Sequence, residues 1–278
     1  MIFKISPYKK AIRLFGKRKF LEAIKEFDKA IEIDPRNFEG WFSRGLTKYI
    51  LKQYEEATKD FDKAIEIEPE DYTCWRLRGQ SKVGIKQYEE AIKDFDKAIE
   101  YGPKDYSPWL FRGKSKYFLQ QYEEAIKDFD KAIEIEPEDF TCWFSRGLTK
   151  YNSKQYEEAI KDFDKAIEYG PKDYSPWLFR GKSKYFLQQY EEAIKDFDKA
   201  IEINPEDNDS WVWRGQSKVV LMQYEEAIKD FDKAKDYGCK DYLYRISIGQ
   251  SKVGLMQYEE AIKDFDKAIG IDPQNFAG

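Results

Sequence analysis

The chain contains no histidine. That absence removes imidazole general bases, Ser–His and Cys–His nucleophile pairs, and every His-ligated metal site. The three cysteines, Cys74, Cys142 and Cys239, are too few and too widely spaced for a disulfide framework or a metal cluster. They suit a reducing compartment, and a cytoplasmic setting is the expectation. No run approaches the ~18–20 apolar residues of a membrane span, and the opening MIFKISPYKKAIRLF lacks the apolar core of a secretory signal. An excess of one charge is also missing. The 48 basic and 53 acidic side chains leave a net charge of −5, so no global field marks a nucleic-acid binder. No Gly-rich loop follows a predicted strand, so phosphate-cradling motifs are absent. The expectation is a protein with no catalytic residues, no metal or cofactor, and no nucleic-acid or membrane partner. Aromatic residues, by contrast, make up 17% of the chain, far too many for a disordered one.

What fills the chain is a period of 34 residues. Eight repeats result: 4–37, 38–71, 72–105, 106–139, 140–173, 174–207, 208–241 and 242–275. Ala91, Phe95 and Ala98 recur unchanged in all eight. Gly79 recurs in seven, with Ala11 in the first. Trp75 fails only at Pro7 and Arg245, and Pro103 only at Cys239. Because the spacing never slips, residues 4–275 are expected to form one stack of repeats rather than one or two domains with private cores.

Each repeat reads as two helices. In 72–105, Tyr88, Ala91, Ile92, Phe95, Ala98 and Ile99 fall on one stripe of a 3.6-residue helix. Glu89, Glu90, Lys93, Asp94, Asp96 and Lys97 lie between them and are assigned to the wet face. Glu89, Glu90, Asp94 and Asp96 read as a solvated face rather than a cation site, because lysines interleave the acids in nearly every copy. Gly102-Pro103 ends the second helix. Another helix spans about 73 to 85. Gly79, Ala91 and Ala98 let the two backbones approach, with Trp75 and Phe95 filling the space beside them.

The W-x3-G of Trp75 and Gly79, followed by Tyr88, Ala91, Phe95, Ala98 and Pro103 at these spacings, resembles the tetratricopeptide repeat family. The resemblance covers residues 4–275. It implies an all-α fold, a right-handed superhelical solenoid of antiparallel helix pairs. It also implies that the first helices line a concave groove and that the protein is a non-catalytic scaffold for a peptide or protein partner. Two departures stand out. Arg78, with Arg44, Arg112, Arg146, Arg180 and Arg214, occupies a place where the family usually has an apolar residue. Lys82 and six equivalents replace a common tyrosine. Both point at the second helix, where a bare charge is costly. The expected partner of Arg78 is Asp94 of its own repeat, with Asp96 as the second choice. Lys10 and Glu26 keep both signs in the first repeat, whereas Ile248 faces Asp264 in the last.

Differences between copies point to the binding face. Residues 72–139 and 140–207 differ at nine of 68 positions, and eight of the nine lie in the first helix of the leading repeat. With Trp75 inward, one stripe of each first helix faces the groove. It comprises Phe42, Leu46 and Tyr49, then Arg76, Gln80 and Val83, then Leu110, Lys114 and Tyr117. It continues with Phe144, Leu148 and Tyr151, then Leu178, Lys182 and Tyr185, then Val212, Gln216 and Val219, and ends with Ile246, Gln250 and Val253. Apolar and aromatic residues dotted with Lys, Arg and Gln suit a protein interface. The alternative is that some of them pack between neighbouring first helices. The family's Lys/Asn/Arg carboxylate clamp is not carried over, since no asparagine stands where it is needed. A peptide with apolar anchors and some acidic character fits this stripe better.

The two ends differ in character. Lys4, Lys9, Lys10, Arg13, Lys17, Arg18 and Lys19 make the first repeat basic, which suits a solubilising cap better than the alternative, a contact with nucleic acid or acidic lipid. At the other end, residues 275–278 match 37–40, which lead into Trp41, so 276–278 read as the start of a further repeat. A longer protein, for which this chain is an adaptor arm, or self-association through the terminal repeats would each account for that pattern.

Overall fold

The computed structural model describes residues 6–239 and 242–271. The readings for residues 4 and 272–278 lie outside the described residues. Among the described residues there are sixteen helices and no strand. They fall into two compact units, Met1–Glu138 and Asp139–Gly278, each a run of helix pairs. The first unit holds α1 (Pro7–Gly16), α2 (Phe20–Ile33), α3 (Phe38–Ile50), α4 (Tyr54–Ile67), α5 (Tyr72–Gly84), α6 (Tyr88–Tyr101), α7 (Tyr106–Phe118) and α8 (Tyr122–Ile135). The second holds α9 (Phe140–Asn152), α10 (Tyr156–Tyr169), α11 (Ser175–Phe186), α12 (Tyr190–Ile203), α13 (Asn208–Val220), α14 (Tyr224–Asp236), α15 (Tyr242–Gly254) and α16 (Tyr258–Ile271).

Local chemistry sets the helix ends. Most first helices start on a capping carbonyl or carboxylate: Asp71 Oδ1 accepts the Cys74 N–H at 2.7 Å, and Asn37 Oδ1 accepts that of Gly40 at 2.7 Å. They end in a Schellman turn. The Gln87 N–H donates to the Lys82 carbonyl at 2.9 Å and the Lys86 N–H to that of Val83 at 3.0 Å. This turn needs a left-handed residue, and Lys86 supplies it at φ +61°. Lys52, Gln120, Lys154, Gln188, Met222 and Met256 do the same in their repeats. Second helices then begin with acids in the first turn, Glu89 and Glu90 in α6, which suits the helix dipole.

The interior of a repeat is a phenylalanine set against a glycine, or against Ala11 in the first repeat. Phe95, Ala91 and Ala98 are fully buried. A Cβ on Gly79 would stand 2.7 Å from Phe95 Cε1, so only glycine lets α5 and α6 close over that ring. Burying one such ring contributes about 1.5–3 kcal/mol. Trp75 does not share this space as the sequence suggests. It packs, half-buried, on the Ala64, Ile65 and Cys74 cluster of the joint with the preceding repeat. Its Nε1–H donates to the Pro69 carbonyl at 2.7 Å.

Within each unit a charged pin ties a repeat that carries the arginine to the one before it. Asp94, assigned to the wet face by its place in the sequence, is only 2% exposed. Its carboxylate accepts both Arg78 Nε at 2.9 Å and Nη2 at 2.6 Å, a two-pronged fork, and Lys82 Nζ lies 2.8 Å away. The remaining guanidinium nitrogen, Nη1, reaches back to Asp62 of the preceding repeat at 2.6 Å. The Trp75 ring covers the guanidinium, 4.6 Å from its carbon. Burial alone would lower the Arg78 pKa, but Asp94 and then Asp62 raise it above the ordinary arginine value.

Asp94 is therefore the partner within the repeat, but Asp96 is not a second choice there. It accepts Arg112 Nη1 of the following repeat at 2.5 Å, because one side of α6 faces its own first helix and the next side faces its neighbour. The pin recurs within each unit at Arg44 with Asp60 and Asp28, and at Arg180 with Asp196 and Asp164. Arg214 makes it with Asp230 and Asp198. The first repeat keeps a reduced form, Lys10 to Glu26 at 3.0 Å. In the last repeat Ile248 packs on Ala227, Phe231 and Tyr244, while Lys252 meets Asp264 at 2.8 Å.

Two tests follow from these contacts. Asp94→Ala leaves Arg78 and Lys82 buried without their shared acceptor and is expected to cost about 3–5 kcal/mol. Asp62→Ala removes a half-exposed partner and should cost about 1 kcal/mol or less. Hydrogen exchange of the α5 and α6 amides reads both, and equal losses would show that fork and outer bond are equivalent. In the turn, Lys86→Val should lower the urea midpoint by an amount equal to about 1–2 kcal/mol, since a branched residue resists the left-handed region, and Lys86→Gly should not lower it.

Candidate protein-interaction face

The groove stripe can be located residue by residue. In the first unit Phe42, Leu46 and Tyr49 are half-buried and pack on Ala57, Phe61 and Leu77. Gln80 and Leu110 are buried. Val83, Lys114 and Tyr117 are half-buried, with the Tyr117 ring against Phe118 and Tyr122. Arg76 stands with Nε 3.6 Å from Asp105 Oδ2. In the second unit Phe144 stacks on Phe140 and meets Phe179 edge-on, and Tyr151 meets Phe179 and Tyr156. Leu178 is buried with Ala193, Phe197 and Ala200. Leu148, Tyr185, Val212, Gln216, Val219 and Ile246 are half-buried, while Gln250 and Val253 are exposed.

Lys182 is the residue whose role the sequence left least clear. It is 7% exposed, and its ammonium bonds to Asp209 at 2.8 Å. It also lies 5.0 Å from the centre of the Phe179 ring and 5.3 Å from that of Trp213. Gln80, Leu110, Leu178 and Lys182 thus serve packing between helices, whereas their half-buried neighbours keep a side toward solvent. With Lys182 neutralised from within, an acidic partner gains little from it.

Several face residues were not singled out from the sequence. Phe118 is 55% exposed and stacks on Tyr88 of the preceding repeat at 5.0 Å, and Phe186 is 44% exposed and stacks on Tyr156 at 5.0 Å. Phe186 also meets Tyr185 and Trp213, so an aromatic ladder runs through the second unit. The signal was present in the variable Gly84/Asn152 position, which is the equivalent of these phenylalanines one repeat away. Where that position is Gly84, its missing Cβ makes room for the Tyr54 ring.

The second unit contains a cleft of about 250 Å³ lined by Tyr185, Gln216, Val219, Ile246 and Gln250, all from the stripe, with Val220 and Ser247. A larger hollow of about 670 Å³ lies off the stripe, at Phe140, Tyr169 and the Gly170–Ser175 loop, and its counterpart in the first unit is at Tyr72 and Gly102–Asp105. Burial, followed by Tyr156 and Asp209, pushes the Tyr151 phenol up to about 12. Burial also raises Tyr185 and Tyr49, so these hydroxyls remain neutral hydrogen-bonding groups at ordinary pH. Among the described residues no group of three Cys, Asp or Glu side chains is placed to hold a metal ion. None of the described helices is long and apolar enough to cross a membrane.

Helix pairs at a constant spacing, a small residue (glycine, or Ala11 in the first repeat) beside the recurring phenylalanine and a recurring pin define an all-α repeat protein. Tetratricopeptide repeat models match residues 38–71, 140–173 and 175–207, a further one matches 113–154, and another matches 244–275. The chain belongs to the tetratricopeptide repeat family. A protein prenyltransferase alpha subunit repeat model matches 88–114, a stretch that takes in α6 and most of α7. No curated protein matches the chain significantly. Solved structures show the same fold. A tetratricopeptide repeat protein from Parabacteroides merdae is 19% identical at TM-score 0.64, covering 88% of this chain and 97% of its own. YrrB, described as having an unusual peptide-binding site, is 24% identical at 0.57, covering 66% and 95%. MamA from Desulfovibrio magneticus RS-1 is 22% identical at 0.57, covering 60% and 94%. The family is one of protein-interaction scaffolds and is generally non-catalytic.

The Lys182–Asp209 pair gives an asymmetric test. Asp209→Ala strands a buried ammonium and is expected to cost about 1–3 kcal/mol. Lys182→Met leaves only a half-exposed carboxylate and should be close to neutral. Urea melts of the two variants measure the difference, and equal losses would contradict the burial asymmetry.

Proposed function

We propose that this chain is a non-catalytic scaffold that binds an extended or helical segment of another protein along the face formed by its first helices. The cleft between α11, α13 and α15 carries the reading, because five stripe residues from three successive first helices line it. The aromatic ladder beside it supports the same assignment. Phe186 and Tyr185 offer large, stiff apolar surface of the kind that dominates interface energetics. The partner is defined by apolar and aromatic anchors more than by charge, since Lys182 and Arg76 already face Asp209 and Asp105. YrrB, a neighbour in fold, is described as peptide-binding, which is consistent with this use of the scaffold. A cytoplasmic setting is part of the proposal. Cys74 and Cys142 are buried free thiols, and burial raises the Cys74 thiol well above its ordinary value, which keeps it protonated and inert.

Panning a displayed random-peptide library on the chain tests the reading. Peptides with spaced aromatic or aliphatic anchors should be enriched. A Phe186→Glu, Val220→Glu double variant, altered at two exposed positions, should lose at least about tenfold in affinity for them, the order expected when a good interface contact is removed. Enriched peptides that bind the variant as well as the parent would sink the proposal.

A further inference from the structure

The second unit carries, nearly residue for residue, a surface that the first unit also has. Residues 106–139 and 174–207 differ at one position, Glu136/Asn204, and residues 86–105 and 154–173 do not differ at all. Each stretch joins the end of a first helix to the start of the second helix before it. Phe118, the last residue of α7, stacks on Tyr88, the first of α6, with ring centres 5.0 Å apart and planes 16° from parallel. Phe186, the last residue of α11, stacks on Tyr156, the first of α10, at 5.0 Å and 10°. Tyr117 and Tyr185 meet these phenylalanines edge-on at 5.5 and 5.8 Å. About half of each phenylalanine nevertheless stays in water, 55% of Phe118 and 44% of Phe186. Other repeats have no phenylalanine at this place, and hold residues such as Gly84, Asn152 and Val220 instead.

We propose that the chain is bivalent: each unit takes one copy of the same aromatic or aliphatic anchor, and the partner is a protein that displays this anchor at least twice. The proposal rests on the scaffold reading above. The same side chains in the same stacked geometry recognise the same chemistry, so a ligand that lays an apolar side chain on Phe186 finds a second seat at Phe118. The two seats are unequal. Tyr151 and Trp213 bring their rings to 6.1 and 5.7 Å from that of Phe186, whereas the first unit has Val83 in the place of Tyr151. The seat in the second unit is therefore the tighter. An aromatic side chain offers roughly 150–250 Å², so each seat leaves about 100 Å² of phenylalanine uncovered. A stable dimer covers roughly 800 Å² on each partner. So small a seat suits a single anchor better than a second copy of the chain. Two seats joined through one partner gain an affinity that neither has alone.

The probe is the peptide most enriched by panning on the whole chain. It is used as a single copy and as a tandem joined by Gly/Ser linkers of roughly 10 to 40 residues, which reach ~17–35 Å. Phe118→Asn and Phe186→Asn borrow the residue that the chain itself holds at Asn152, so the fold accepts both. Calorimetric titration of the whole chain with the single copy should give two sites, at least about tenfold apart in affinity. Phe118→Asn should remove the weaker site and Phe186→Asn the tighter. With at least one linker, the tandem should bind at least about tenfold more tightly than the single copy, and either substitution should abolish that gain. One site per chain, two sites indifferent to Phe118→Asn, or a tandem with no gain at any linker length would overturn bivalency and leave the scaffold reading standing. Panning that enriches no peptide would remove both. A dimer of the chain alone, seen by sedimentation and dispersed by the Phe118→Asn, Phe186→Asn double variant, would also overturn the proposal, because it would give the seats to a second copy.

Discussion

Each repeat depends on one buried carboxylate. Asp94 and its equivalents sit almost out of water, and an ion in that position is tolerable only if it is fully satisfied. Two arginine nitrogens and a lysine satisfy it, and these three donors come from positions four apart on a single helix. The geometry leaves one guanidinium nitrogen over, and that nitrogen crosses to the preceding repeat. An interaction that closes a helix pair therefore also fixes the angle at which pairs stack. The invariance of the 34-residue spacing has a physical cause here. An inserted residue would rotate the arginine off its carboxylate and leave charges buried on both sides.

The pin and the glycine–phenylalanine contact occupy the sides of α5 that face α6 and the preceding repeat. They leave another side of the first helix unconstrained, which is where the copies diverge. Residues there still do structural duty, since Leu110 and Leu178 are buried and Lys182 is neutralised. What remains toward solvent is a row of aromatic edges supported from below by other rings. Such a surface loses little conformational entropy on binding, because the rings are already packed against one another.

Much of this was legible in the sequence because the period repeats the same physical problem many times. The helix pairs, the Gly79 and Phe95 contact and the Arg78–Asp94 pairing all follow from spacing plus the cost of burying charge. Asp96 was harder to read. It lies two residues from Asp94, about 200° around the helix, so it serves the neighbouring repeat, and a single repeat considered alone offers no neighbour. Trp75 was misplaced for a related reason: its strict recurrence suggests core, whereas the ring shields a guanidinium at the joint. The aromatic ladder escaped because Phe118 and Phe186 align with Gly84 and Asn152, and an average over copies hides an alternation. The status of Lys182 turned on Asp209, which stands where the four preceding repeats have Thr73, Ser107, Thr141 and Ser175.

The chemical distance along the chain within each pin is constant. Arg78 is sixteen residues from Asp94 and sixteen from Asp62. No decisive contact has to wait for a distant part of the polypeptide, so the entropy of closing loops stays small and the same at every step. Structure can therefore spread along the chain a repeat at a time, from wherever it first forms. On the ribosome, a repeat can complete its outer bond as soon as the next first helix emerges. The emerging chain need expose no more than one unfinished joint, which limits the time that apolar helix faces are open to aggregation.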